Sequence, residues 1–241
     1  MKAKEIMTKL KITRPTLCNY VKKGYIKAHK LPNGQYDYDD SSIDTFIAGN
    51  VSKSSLTGEE DILIDCIKNS DIVVIQLETP LDTVKYALQV AKDLNKYTIL
   101  NPAPAVKLDH DIIKNVDLLT PNEAELETIS EIKIENDDDI NKAALKMIEK
   151  GVKELIVTLG SKGSLYINEE KSFFKKSYKV DAIDTTAAGD SFTGALAVAL
   201  SNNKTMEEAM DFASKVGALS VMKEGAQSSL PTLKDVENFG R

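Results

Sequence analysis

The chain has 241 residues, 42% of them hydrophobic and 28% charged, with a formal net charge of −6. That is enough for one small and one medium domain, and no apolar run approaches the ~18 residues that would span a membrane. Two cysteines and two histidines exclude a disulfide framework and a zinc cluster, and Met1-Lys2-Ala3-Lys4-Glu5 is not a signal peptide, so a soluble cytoplasmic protein is expected.

In chain order, Ala3 to Leu10 predicts a short helix with Ile6 and Leu10 on one face. Lys11-Ile12-Thr13 reads as a turn, with Thr13 a cap and Pro15 near the first position of a second helix. Leu17 and Val21 face its core side, and Gly24 ends it. Tyr25 to Lys30 and Gln35 to Tyr38 read as strands around the hairpin signal Pro32-Asn33-Gly34. Asp40 to Ile47 closes the unit as a short helix. Residues 1–36 hold nine lysines and arginines against one acid, Glu5, a net of +8, which leaves −14 on residues 37–241. A basic arm on an acidic body points to a polyanionic partner for the arm, although a solvated basic face would look the same.

This pattern resembles the MerR-like winged helix-turn-helix unit of excisionases. The resemblance implies contact with double-stranded DNA through residues 1–38. Arg14, Thr16, Asn19, Tyr20 and Lys23 would lie on or near the groove-facing side, and His29, Lys30 and Asn33 on the wing. The serine-rich stretch Asn50 to Gly58 is the expected linker.

The body alternates. Asp71 to Leu77 is an expected buried strand, Leu81 to Leu94 a helix, and Tyr97 to Leu100 and Val116 to Leu119 strands. Glu123 to Ile129 and Asp137 to Lys150 are helices, the second ending at Gly151. Glu154 to Thr158 is a strand; Leu165 to Ile167 and Ser172 to Phe174 are short and antiparallel. Ser191 to Ser201 and Thr205 to Lys223 are two final helices. This order predicts an α/β fold, a mostly parallel sheet with helices on both faces and ligands at the carboxyl ends of its strands. Cys18 and Cys66 are expected to be buried thiols in helices.

One segment carries chemistry on its face: Asp184-Thr185-Thr186-Ala187-Ala188-Gly189-Asp190-Ser191-Phe192. Small residues leading into a helix leave unblocked N–H groups, and the helix dipole makes that end an anion site. Asp190 beside such a site suits a group that takes a proton from a hydroxyl attacking a phosphoryl group. An ordinary helix cap is the competing reading of the spacing.

That segment resembles the signature of ribokinase-type (PfkB-type) carbohydrate kinases, which usually carry glycine where Ala187 stands. Five further segments resemble the same family in the same order: Gln76-Leu77-Glu78-Thr79-Pro80, Asn101-Pro102-Ala103-Pro104-Ala105, Thr120-Pro121-Asn122-Glu123, Thr158-Leu159-Gly160-Ser161-Lys162-Gly163 and Lys223-Glu224-Gly225-Ala226-Gln227. Together they cover about Ser55 to Phe239.

The resemblance implies ATP, Mg²⁺ and K⁺ as cofactors and a small sugar, ribose first, as substrate. It implies Asp190 as base, with Ala187, Ala188 and Gly189 as the anion hole. Asn122, Thr158, Gly160, Ser161, Gly163, Gly189 and Ser214 would hold the nucleotide, and Glu123 would hold magnesium through water. Glu78 and Asp190 would meet the sugar. Asp184, Thr186, Ser220, Lys223, Gly225 and Ser229 would form a potassium loop.

Residues 1–50 lack the strand, the sugar-binding Asp and the Gly-Gly-Lys-Gly-type loop with which such kinases begin. The expected domains are therefore 1–50, DNA-binding, and 51–241, the carboxyl-terminal part of a kinase, with a bare sheet edge where the missing strands would pair. A homo-oligomer or a complementing chain would complete the site. Three readings stay open: a sugar kinase, a DNA-binding transcriptional regulator whose kinase-like body senses nucleotide or sugar, and a remnant of gene rearrangement.

Overall fold

The computed structural model describes residues 2–10, 14, 17, 20–21, 26–31, 36–41, 43 and 58–240. The chain divides into two compact units, Met1–Asp65 and Cys66–Arg241.

In the first unit, Ala3–Leu10 is helical, with Glu5 in its first turn. Strands β1 (Ala28–Lys30) and β2 (Tyr36–Tyr38) pair antiparallel, with Ala28 opposite Tyr38 and Lys30 opposite Tyr36. Ile6, Leu17, Ile26, Tyr38 and Ile43 form a small buried core. Arg14, His29 and Lys30 are exposed and Tyr20 is half-buried. Cys18 and the expected DNA-contacting residues Thr16, Asn19, Lys23 and Asn33 lie outside the described residues, as do Leu10's side chain, the turn at Lys11-Ile12-Thr13 and the linker residues 50–57.

The second unit carries a six-stranded sheet in the order β3 (Ile72–Gln76), β4 (Tyr97–Asn101), β5 (Leu118–Leu119), β6 (Glu154–Thr158), β7 (Gly163–Asn168) and β8 (Ser172–Lys176). β3 to β6 run parallel; β7 and β8 are antiparallel to their neighbours. Alternation along each strand builds two cores, one per face. Leu100, Leu119, Leu155, Val157 and Ile167 pack with Val84 and Leu88 of helix Leu81–Asp93 and with Leu126, Ala143 and Met147 of the two following helices. Ile99, Leu118, Ile156 and Tyr166 point the other way, onto Phe192, Leu196, Met210 and Ala213 of helices Ala188–Ser201 and Met206–Ser220.

Polar side chains at the amino ends of the strands are used up in structure. The Tyr97 and Tyr166 hydroxyls both donate to Glu154, and burial, the first cause in each case, pushes both phenols up. Asp117 accepts from Lys153 at 2.5 Å and from the Thr98 N–H and hydroxyl at 3.0 Å. These bonds tie β4 to β7 together at the end away from the carboxyl termini, where the sequence motifs lie.

Three expectations fail locally. β3 is not a buried strand but a sheet edge, with Val74 43% exposed: an apolar run cannot distinguish a centre strand from an edge covered on one face. Cys66 is exposed, because the neighbouring Ile67, 3% exposed, takes the inward position on helix Gly58–Lys68, and adjacent helical residues point about 100° apart. The last long helix stops at Ser220 rather than Lys223, where the Val221 carbonyl accepts the Ile183 and Asp184 N–H groups instead. Helices His110–Ile113 and Leu233–Asn238 were not expected. Among the described residues no helix is long and apolar enough to cross a membrane.

Candidate active site

A cleft of about 1010 Å³ opens at the carboxyl ends of β5 and β6. Thr120 follows the first strand and Thr158 ends the second; the Thr158 N–H donates to the Pro121 carbonyl at 2.9 Å, and Asn122 bridges to Thr158. That pairing brings Asn122 and Glu123 alongside Thr158, Gly160, Ser161 and Gly163 on the cleft wall. The opposite wall comes from Ala188, Gly189 and Phe192 of one helix and Ser214, Gly217 and Ala218 of the next. Seven of the residues expected to hold a nucleotide therefore line one space. Tyr178, Lys179, Val180 and Ala182 line it too; they lie in a stretch without regular structure, and no motif marks them.

Asn122 is also a structural residue. Its side-chain oxygen accepts the Glu125 N–H at 2.8 Å while Glu125 accepts the Asn122 N–H at 2.8 Å, a reciprocal cap of helix Glu123–Ser130. The signal Asn122-x-x-Glu125 is legible in the sequence and was missed there. The amide nitrogen of Asn122 has no partner among the described residues. Glu123 Oε1 lies 3.7 Å from Lys162 Nζ. The Ser164 hydroxyl, on the cleft lining, is buried without a hydrogen-bond partner.

The segment around Asp190 settles the capping question. Ala187 is the helix N-cap, in the left-handed region at φ 58°, with no side-chain cap bond. Holding a Cβ there costs about 1 kcal/mol, which gives a physical sense to the glycine that similar sequences carry. The Ala188 N–H donates to the Thr185 carbonyl at 3.2 Å. The N–H groups of Ala187, Gly189 and Asp190 have no acceptor among the described residues, so of the three expected donors only that of Ala188 is engaged. A Cβ on Gly189 would meet nothing within 4 Å: glycine is not required there by packing, and the space before it belongs to the cleft. Asp190 does not cap its helix. Its Oδ1 accepts the Gln76 amide at 2.7 Å across 114 residues of sequence. Glu78, two residues beyond Gln76, is exposed.

Asp184 joins two loops. One oxygen accepts the Thr186 N–H at 2.9 Å and the other the Gly225 N–H at 2.9 Å. The Thr186 hydroxyl, then the Gly225 and Thr186 N–H donors, hold its carboxyl down at about 2. A depressed carboxylate contributes stability above its unfolded value, near 4, and loses it as pH falls through the folded value. The melting-temperature gap between wild type and Asp184→Asn is therefore expected to be full at pH 5–7 and to shrink from pH 4 toward 2. A gap unchanged at pH 2 in thermal melts would remove this role.

Ser220 and Ser229 are fully buried, their hydroxyls donating to the Gly217 carbonyl at 2.9 Å and the Ala226 carbonyl at 2.8 Å. Each keeps a lone pair. A carboxylate and hydroxyls are oxygen donors, the kind a hard cation takes. No group of three or more His, Cys, Asp or Glu side chains that could cage a divalent ion occurs among the described residues, so Mg²⁺ fits here only alongside the phosphates it accompanies.

Residues 38–233 match the model of the pfkB family of carbohydrate kinases. The chain is 40% identical over 173 residues to ribokinase of Staphylococcus aureus, covering 71% of this chain and 57% of that one. It is 41% identical over 173 residues to ribokinase of Haemophilus influenzae, covering 72% and 56%. The structure of Arabidopsis thaliana ribokinase complexed with ribose and ATP superposes with a TM-score of 0.72 at 27% identity, covering 87% of this chain and 66% of that one. The second unit thus has the ribokinase-like α/β fold. The chain spans just over half the length of the two relatives.

Proposed function

The chain belongs to the pfkB family of carbohydrate kinases, and we propose that its second unit transfers the γ-phosphoryl group of ATP to a hydroxyl of a small sugar, ribose first. One observation carries this reading: Asp190, outside any cap, stands next to the open Ala187, Gly189 and Asp190 N–H groups at the end of a nucleotide-sized cleft. The similarity to ribokinases supports the choice of sugar.

In this reading the cleft between the Thr158–Gly163 loop and the Ser214 helix takes the nucleotide, with Asn122 Nδ2 toward its phosphates. The sugar hydroxyl gives its proton to Asp190 as its oxygen bonds to the γ-phosphorus, and the bond to the β,γ-bridging oxygen breaks to release ADP. These open N–H groups stabilise the charge on the transferred group. Glu123 would hold magnesium, which would neutralise charge on the phosphates, and the Asp184 loop would hold potassium, which would steady the donors. Glu78 meets the sugar.

The test is ADP formation by the full chain with ATP, Mg²⁺, K⁺ and ribose, beside a nucleotide titration. Ribose-dependent turnover supports the proposal; ATP binding without turnover with any of a panel of sugars sinks it. Gly189→Ala sharpens the test. A Cβ there clashes with nothing in the protein, so the melting temperature should hold or rise slightly, while turnover drops about tenfold to a hundredfold because the methyl intrudes on the anion site. Unchanged turnover would place the transferred phosphoryl elsewhere.

A second reading rests on the first unit, with its own buried core, its net +8 over residues 1–36 and the position of residues 1–37 outside the family match. This arm would bind double-stranded DNA, making the body a sensor. Arg14→Ala with Lys30→Ala should then weaken binding and flatten its dependence on salt; an unaltered salt slope would dismiss it.

A further inference from the structure

We propose that Gln76 is the positioning residue of Asp190: its amide fixes one carboxylate oxygen, so that the other is presented to the acceptor hydroxyl. The inference rests on the reading of Asp190 as base and adds a residue to it.

Three features of the chain lead to this bond. β3 alternates: Ile72 packs toward the helix Ala188–Ser201 face and Ile75 and Leu77 toward the other. Gln76 shares the parity of Ile72, so its side chain leaves the sheet on the side where that helix lies. An apolar strand, Ile-Val-Val-Ile, therefore turns polar at the one position that meets the helix start.

The strand end is tied twice to β4 and the residues just past it. Gln76 pairs in register with Asn101, and the Leu77 N–H donates to the Ala103 carbonyl at 2.9 Å. The amide thus projects from a fixed backbone, although β3 is the sheet edge. Asp190, in turn, sits at the third helical position, where an acidic side chain commonly reaches back to its own cap. It reaches across to Gln76 instead, and among the described residues its Oδ2 has no partner.

An aspartate on an exposed helix turn samples several rotamers. A charge-assisted bond at 2.7 Å selects one. The donor is a neutral amide, so it orients the carboxylate without adding a second charge beside the transferring phosphoryl. A misplacement of the base by about 1 Å is worth on the order of a hundredfold in rate.

The test compares wild type with Gln76→Ala and Gln76→Glu; glutamate keeps the volume and removes the donor, so a loss shared by both variants is not a packing effect. Two readouts are taken on the full chain. The first is the χ1 rotamer of Asp190 from side-chain NMR couplings, which needs no turnover: one rotamer in wild type, averaged rotamers in both variants. The second is steady-state kinetics: kcat falls about thirtyfold to a hundredfold in both, with KM for ATP within about twofold. A single Asp190 rotamer in Gln76→Ala, or an unchanged kcat with ribose, overturns the proposal. If the kinase reading itself is wrong, Asp190→Asn will not reduce turnover, while the rotamer readout still reports whether Gln76 holds Asp190.

Discussion

Asp190→Asn is expected to lower ribose-dependent ADP formation by about 10²–10⁴-fold while nucleotide affinity stays within about twofold. The geometry makes this substitution unusually clean. Asparagine has the same shape, and its side-chain oxygen can still accept the Gln76 amide, so the contact between edge strand and helix survives. Asp190 does not line the nucleotide cleft, whereas its neighbour Gly189 does, so the ATP side of the site is untouched. What disappears is the capacity to accept a proton. Asp190→Asn removes the proton acceptor and keeps its support, whereas Gln76→Ala does the converse. A variant with wild-type turnover would take the base role away from Asp190. A variant that loses nucleotide affinity as well would mean that the carboxylate shapes the phosphate end of the cleft.

Phosphoryl transfer depends on excluding water around the attacking hydroxyl. Asp190 and Glu78 are exposed, β3 is a sheet edge, and the chain spans just over half the length of the ribokinases it resembles. In the proposed reading the residues assigned to the phosphoryl group lie together on one unit, where the acceptor side, Asp190 and Glu78, is exposed. This separation predicts that a defect in turnover, if found, will show in the sugar half of the reaction and leave ATP binding intact.

Much of this arrangement was legible in the chain, and the exceptions have physical reasons. Parallel strands with two-residue alternation were readable because Ile99 and Leu100, or Ile156 and Val157, must both find apolar partners on opposite faces. Four of the six motifs were readable because they sit where a strand ends; the other two lie at the start of one helix and past the end of another. Edge and centre strands were not separable, since an exposed Val74 and a buried one carry the same letter. The helix start was misjudged by three residues, Ser191 for Ala188, because a left-handed alanine at 187 leaves no compositional trace. Gln76 escaped because its partner is 114 residues away; local patterns carry no such pairing. Asn122 was given a ligand role alone although its capping signal was present three residues on.

Gly163 carries the second large effect, and its reason is different from the one its motif suggests. It lines the cleft, but its φ of 132° lies where side chains rarely go, and a Cβ there would stand 2.0 Å from the Lys175 carbonyl oxygen and 2.9 Å from the Ser177 nitrogen. Both obstacles are backbone, one in β8 and one just past its end, so neither can swing aside as a side chain would. Gly163→Ala must push the β7–β8 hairpin apart or abandon the turn, and a loss of at least about 3 kcal/mol is expected. For a domain of this size that is a fall of about 6–12 °C in melting temperature. The Leu159 N–H donates to the Gly163 carbonyl at 2.8 Å, so the same shift reaches the Thr158–Ser161 loop, and nucleotide affinity should fall with stability. Gly189→Ala offers the contrast: no atom of the protein lies in its way, and function should change without stability. If Gly163→Ala melts within about 2 °C of wild type, the hairpin is far more pliant than its backbone contacts imply. If instead it melts low yet binds nucleotide normally, the loop before it is held by β6 rather than by β7, through the Thr158 N–H on the Pro121 carbonyl.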